Sequence, residues 1–195
     1  MVWSDDKKII FIHVPKCGGT TVEYELKLNN SSNGYGIVDG KARQHWTWKD
    51  YINHLGEEKY NKYHKFSIVR HPYTRIVSEY YWCFVPGHGA RYESLDSFID
   101  FCADVVERKA YSETVFNDHY MPQHLYIFEN GELKVNELYK LEEYDKVVKY
   151  LNSLGVENVG KHETGRYPKI ELTQKQRMRV YQIYSEDFRL LNYKR

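Results

Sequence analysis

Cysteine is scarce in this chain. Cys17, Cys83 and Cys102 are the only three among 195 residues, and no two of them have CxxC spacing. Such a set predicts neither a disulfide framework nor a zinc site, and it suits a reducing compartment. Long apolar runs are missing as well. The longest, IIFIHV at Ile9–Val14, falls far short of the ~18 residues a membrane-spanning helix needs. The stretch before it carries Asp5, Asp6, Lys7 and Lys8 and no apolar segment, so neither a leader nor an anchor is expected, and a cytoplasmic location is. An excess of charge of one sign is also lacking. A net charge of +1 gives no reason to expect a nucleic-acid or membrane-surface partner. Internal repeats and low-complexity tracts are absent too. What is present, 42% hydrophobic and 16% aromatic residues, excludes a disordered or collagen-like chain. The length suits one domain, spanning 1–195.

Strand and helix patterns alternate. KKIIFIHV (Lys7–Val14) reads as a buried strand stopped by Pro15, and Thr20–Leu28 has helical composition. Asn29–Gly36 reads as a loop, and Thr47–Leu55 as a short helix. His64–Arg70 is a second buried strand, followed by a helix over Thr74–Trp82. Phe84–Ser94 is a Gly-rich loop, and Ser94 caps an amphipathic helix reaching Lys109. Leu125–Val135 looks like two strands around an Asn130–Gly131 turn. Helices over Glu142–Gly155 and from Thr173 to about Tyr184 complete the pattern. The alternation predicts an α/β layer architecture with a mostly parallel central sheet flanked by helices.

Two segments carry chemistry. The first is Pro15-Lys16-Cys17-Gly18-Gly19-Thr20-Thr21 between a strand and a helix. Glycines permit a tight turn and close approach of a ligand. A helix start offers unpaired N–H groups, Thr20 and Thr21 add hydroxyls, and Lys16 adds a mobile positive charge. Phosphate or sulfate is the natural guest. A plain Gly-Gly turn between a strand and a helix would look similar. The pattern is not GxxxxGK(S/T): the lysine precedes the glycines, which argues against a magnesium-dependent triphosphate loop. The position of Cys17 beside Lys16 at a helix start would lower its thiol pKa, but its spacing identifies no partner base, so a loop residue offering its backbone N–H is the better reading.

The second is VRHPYTRIVSEYY. Arg70 stands at the C-terminal end of a strand, the edge where open parallel sheets bind ligands, and Ser78 follows on the next helix. An arginine fork and a hydroxyl can converge on one phosphate. Arg75 competes for that role, or pairs on the surface with Glu79. Tyr80, Tyr81 and Trp82 suit the core or its edge.

FIHVPKCGGTTVE followed by FSIVRHPYTRIVSEYYW resembles the paired signatures of the sulfotransferases that use 3′-phosphoadenosine 5′-phosphosulfate (PAPS), most closely the heparan and chondroitin type of carbohydrate sulfotransferase and their bacterial and viral relatives. NDHYMPQHLYIF, YKLEEYDKVVKYL and TGRYPK are similar to further family segments. The resemblance implies a P-loop-NTPase-like three-layer fold. It implies that Lys16, Cys17, Gly18, Gly19, Thr20 and Thr21 hold the 5′-phosphosulfate, that Arg70 and Ser78 hold the 3′-phosphate, and that Gly165 and Arg166 close over the nucleotide. PAPS would be the co-substrate, 3′,5′-diphosphoadenosine the product, and no metal would be needed. Cys17 stands where the family usually has Thr or Ser, and the chain is short, so acceptor-binding insertions are reduced. Animal members are anchored in Golgi membranes, so a bacterial, phage or viral enzyme is expected.

Sulfuryl transfer needs a base for the acceptor hydroxyl, and positive charge on the leaving group, which Lys16 can supply. His45, between the two motifs and just before a helix, is the chosen base, matching a histidine of the family. His119 is the second choice. His13 reads as structural and His71 as shaping a turn. His119 and His124 with Asp118 have a spacing that suits no common metal site. The acceptor implied is a saccharide. A C-terminal stretch with nine basic and five acidic residues over 151–195, together with 19 tyrosines and four tryptophans, permits an anionic glycan. A tyrosyl protein or a small alcohol is the other choice. Two readings from other classes stay open: an atypical nucleotide kinase or NTPase, and a non-catalytic module for a nucleotide or sulfated glycan. Oligomeric state is not readable.

Overall fold

The computed structural model describes residues 2–28, 37–38, 41–85, 92–114, 116–160 and 170–195. The strands are β1 (Trp3–Ser4), β2 (Ile9–Ile12), β3 (Ile37–Val38), β4 (Lys41–Ala42), β5 (His64–Val69), β6 (Phe128–Glu129), β7 (Glu132–Leu133) and β8 (Glu137–Lys140). The α-helices are α1 (Gly19–Glu25), α2 (Trp48–Leu55), α3 (Glu57–Lys62), α4 (Pro72–Trp82), α5 (Leu95–Glu107), α6 (His124–Ile127), α7 (Tyr144–Ser153), α8 (Gln174–Ile183) and α9 (Ser185–Leu190).

The central sheet runs in the order β1-β2-β5-β8. β1 is antiparallel to β2, while β2, β5 and β8 are mutually parallel neighbours. All four residues of β2 and the last five of β5 are buried, as strands covered on both faces must be. In register, Ile12 faces Ser67 and Val69 faces Lys140. The segments leaving β2, β5 and β8 therefore emerge at one edge, which brings Pro15–Gly18, Arg70 and Leu141 together.

The core has two parts. One is centred on Phe11, Phe66, Tyr51, Tyr126 and Leu151 around the sheet. The other packs α4, α5 and α8 through Ile76, Phe98, Ile99, Val105, Val180 and Tyr184. Capping boxes start α2 (Thr47 with Asp50), α5 (Ser94 with Ser97) and α8 (Thr173 with Gln176), close to where the sequence places those starts. His71 shapes its turn as expected: its ring accepts the Tyr73 N–H at the head of α4, with Pro72 following at the first helical position.

Three readings need correction. Leu125–Ile127, taken as strand, belong to the one-turn α6, and only β6 and β7 form the hairpin around Asn130–Gly131. The third parallel strand, β8, is missed because all four of its residues are half-buried and show neither alternation nor a buried run. Helices α3 and α9, each six residues, are too short for a periodic signal. The predicted loop Asn29–Gly36 and much of Phe84–Ser94 lie outside the described residues.

Candidate active site

The loop after β2 turns on two left-handed residues, Lys16 (φ +63°) and Gly18 (φ +82°). Gly18 suits that conformation, and a Cβ there would also press to 2.9 Å on Leu141 Cδ1. At Gly19 a Cβ would lie 2.1 Å from His13 Cδ2, so the helix can begin there only without a side chain. Helix α1 is seven residues long. Its dipole is correspondingly small, and positive charge at this edge must come from side chains, chiefly Lys16 and Arg70. Thr20 is exposed and Thr21 buried.

The Cys17 thiol turns inward. It is 1% exposed and donates to Gln123 Oε1 at 3.3 Å and to the Pro15 carbonyl at 3.5 Å. Burial pushes its pKa up to about 12, against the lowering expected from Lys16 and the helix start, and the thiol packs inward rather than facing the loop's open side.

Arg70 sits half-buried at the end of β5. Its Nη1 donates to the Lys16 carbonyl at 3.3 Å and its Nε to Thr74 Oγ1 at 3.1 Å, so the guanidinium lies against the first motif. Arg75 has a different role. It is 4% exposed and its guanidinium donates to the carbonyls of Pro15, His119 and Met121 at 3.2, 2.7 and 3.1 Å. It is neither a surface ion pair nor a ligand arm but an internal tie between the two motifs and the 117–121 segment. Ser78 is buried on α4, one turn beyond Arg75. Gly165 and Arg166 lie outside the described residues.

Three buried histidines meet beside this edge, each with Nδ1 on a carboxylate. His13 pairs with Glu23 at 2.5 Å, His45 with Asp118 at 2.9 Å, and His119 with Glu79 at 3.0 Å. Their rings pack edge to face, His13 on His45 at 5.0 Å and His45 on His119 at 4.7 Å between centroids. Trp82, expected in the core or at its edge, is half-buried and stacks on His119 at 4.3 Å, and Lys16 Nζ lies 5.3 Å from the Trp82 ring centroid. The contacts Lys16–Trp82–His119–His45 thus tie the loop after β2 to the histidine cluster.

Burial lowers the His45 pKa to about 4, its hydrogen bond to Asp118 opposing this only in part. Burial, the largest single influence, raises the Asp118 carboxyl, but the His45 hydrogen bond, the charges of His45 and His119 and the His119 backbone N–H together outweigh it and hold the group below the usual carboxylate range. Asp118 is therefore the acceptor, His45 donates through Nδ1, and its Nε2 accepts from the Gln44 side-chain amide at 3.2 Å, an exchangeable partner that an acceptor hydroxyl would replace. Such an imidazole can take a proton from a hydroxyl. His45, Asp118 and His119 also bring one ligand atom each within 4.8 Å of one another, a set that could hold a metal ion. His124, considered with them from sequence, instead pairs with Asp187 at 2.7 Å. Asp118, Glu79 and Gln123 were not identified as site residues. In sequence they are ordinary polar residues, and only folding brings them to their partners.

A family model described as the sulfotransferase family matches residues 1–194. The chain belongs to the sulfotransferase family. It is a sulfotransferase enzyme, which sets aside the kinase and non-catalytic readings. No curated protein matches it. Among the described residues, no helix of the sulfotransferase is long and apolar enough to cross a membrane. The family implies PAPS as co-substrate. The donor set fits a nucleotide that is anionic at both its 3′ and 5′ ends: two cationic side chains, Lys16 and Arg70, at one sheet edge, with the Arg70 guanidinium against the Lys16 carbonyl.

Proposed function

We propose that this sulfotransferase moves the sulfuryl group of PAPS to a hydroxyl of a saccharide acceptor. The observation that carries the reading is the buried His45–Asp118 dyad, linked through His119 and Trp82 to Lys16. When bound, PAPS supplies an activated sulfuryl group on a phosphate leaving group. His45 Nε2 takes the hydroxyl proton as the acceptor oxygen bonds to sulfur, and Asp118 fixes the ring and balances the imidazolium that forms. Lys16 neutralises charge on the 5′-phosphate oxygen that departs with 3′,5′-diphosphoadenosine. The backbone of Cys17, Gly18 and Gly19 and the hydroxyls of Thr20 and Thr21 complete the 5′ cradle. Arg70 and Ser78 hold the 3′-phosphate. Gly165 and Arg166 close over the nucleotide, as the resemblance implies. None of these steps calls on a metal. The saccharide acceptor rests on the resemblance and on the basic helix α8, which carries Lys175, Arg177 and Arg179.

The test is transfer from PAPS across glycans, peptides and small alcohols, read by product mass. Sulfated glycan is the expected product. Sulfation confined to peptides or small alcohols overturns the acceptor, and no transfer to any of them overturns the reading.

A further inference from the structure

Gln123 has no exposed surface and is among the largest fully buried side chains, yet it is polar. Its amide is used at both ends. Oε1 accepts the Arg70 N–H at 2.9 Å, and Nε2 donates to the Arg70 carbonyl at 2.8 Å. One side chain thus pairs with both backbone groups of Arg70, as a neighbouring strand would, just where β5 ends. The same Oε1 accepts the Cys17 thiol at 3.3 Å. Gln123 is itself anchored: its backbone N–H donates to Asp187 Oδ2 at 2.8 Å, and Asp187, also without exposed surface, reaches it from α9.

We propose that Gln123 is a positioning residue that sets the distance and orientation between the Pro15–Gly18 loop and Arg70, and so matches this site to a nucleotide bearing phosphate at both its 3′ and 5′ positions. The inference rests on the nucleotide assignment above. Gln123 touches no reacting atom. It acts through Cys17 on the 5′ side and through the Arg70 backbone on the 3′ side. A ligand held at both ends gains from a high effective concentration of the second site, and that gain depends on a fixed span. A ligand held only at the 5′ end does not draw on it. An amide is required because Arg70 offers one donor and one acceptor. A carboxylate cannot donate, and an apolar side chain leaves both groups buried without a partner.

The experiment compares 3′,5′-diphosphoadenosine and 5′-AMP by calorimetry on the whole chain. The wild type is expected to bind the bisphosphate far more tightly than 5′-AMP. Gln123→Met should weaken the bisphosphate at least about tenfold, and 5′-AMP less than about threefold. Cys17→Ala cuts the same link at its other end with little change of volume. It should act in the same direction, and it serves if the methionine variant does not fold. Thermal melting of each variant separates lost span from lost fold. Equal loss for both nucleotides, or no loss for either in a folded variant, overturns the role of Gln123. A wild type that binds the bisphosphate no better than 5′-AMP overturns the nucleotide assignment, whatever the variants do.

Discussion

His45 Nδ1 lies 2.9 Å from Asp118 Oδ2, joining residues 73 positions apart in a contact that is almost completely buried. An imidazole fixed this way is held in one tautomer and orientation, with the unprotonated nitrogen turned to the Gln44 amide at 3.2 Å, a partner that a substrate hydroxyl can displace. Replacing His45 with Ala should lower turnover by roughly a hundred- to ten-thousand-fold while leaving affinity for 3′,5′-diphosphoadenosine near that of the wild type. Steady-state kinetics with calorimetry on the same preparation check this. A fully active variant removes His45 from the mechanism.

The same residue ties stability to pH. The folded-state pKa of about 4 lies below the 6.5 of a free histidine, so between these values the unfolded chain binds a proton that the folded chain refuses. The stabilisation from His45 is complete above pH 6.5, shrinks as pH falls towards 4, and falls no further below that. Urea unfolding at pH 7 and pH 4.5 should show a loss in the wild type that is smaller in His45→Gln. An identical pH dependence in the two proteins contradicts the assignment.

Arg70 and Arg75 stand five residues apart and should respond differently. Arg70→Ala removes a half-buried guanidinium at the sheet edge. It should weaken 3′,5′-diphosphoadenosine by about tenfold or more with little change in melting temperature. Arg75→Ala strips the buried His119 and Met121 carbonyls of their donor, leaves the Pro15 carbonyl only the Cys17 thiol, and should cost about 3 kcal/mol or more of folding stability. Melting curves and nucleotide titrations of both variants decide, and a reversed pattern would exchange the two roles.

Gly19→Ala places a methyl group 2.1 Å from the His13 ring, which is held in turn by Glu23. Overpacking of this kind typically costs about 1–3 kcal/mol. Adding His13→Ala makes room, so the double variant should recover part of the loss. Chemical denaturation of the single and double variants measures the coupling. Strictly additive effects would place the strain elsewhere.

The amino-acid sequence alone determined the elements whose signals are local. The buried run at β2, the strand leading to Arg70, the capped helices α2, α5 and α8, and the two strand-to-helix segments Pro15–Thr21 and Arg70–Ser78 all declare themselves through composition, period and caps within a few residues. His45 could be singled out as a candidate because it stands next to a helix start between those segments, but its pairing with Asp118 could not. Tertiary structure alone decided the rest, because the deciding contacts join distant positions. It turned Cys17 inward to Gln123, and it drew Arg75 into the interior as a tie between carbonyls. It also gave His45, His119 and His13 their carboxylates from Asp118, Glu79 and Glu23. A buried polar side chain is stable only when its partner arrives with it. That partner is supplied by the fold and not by neighbours in sequence.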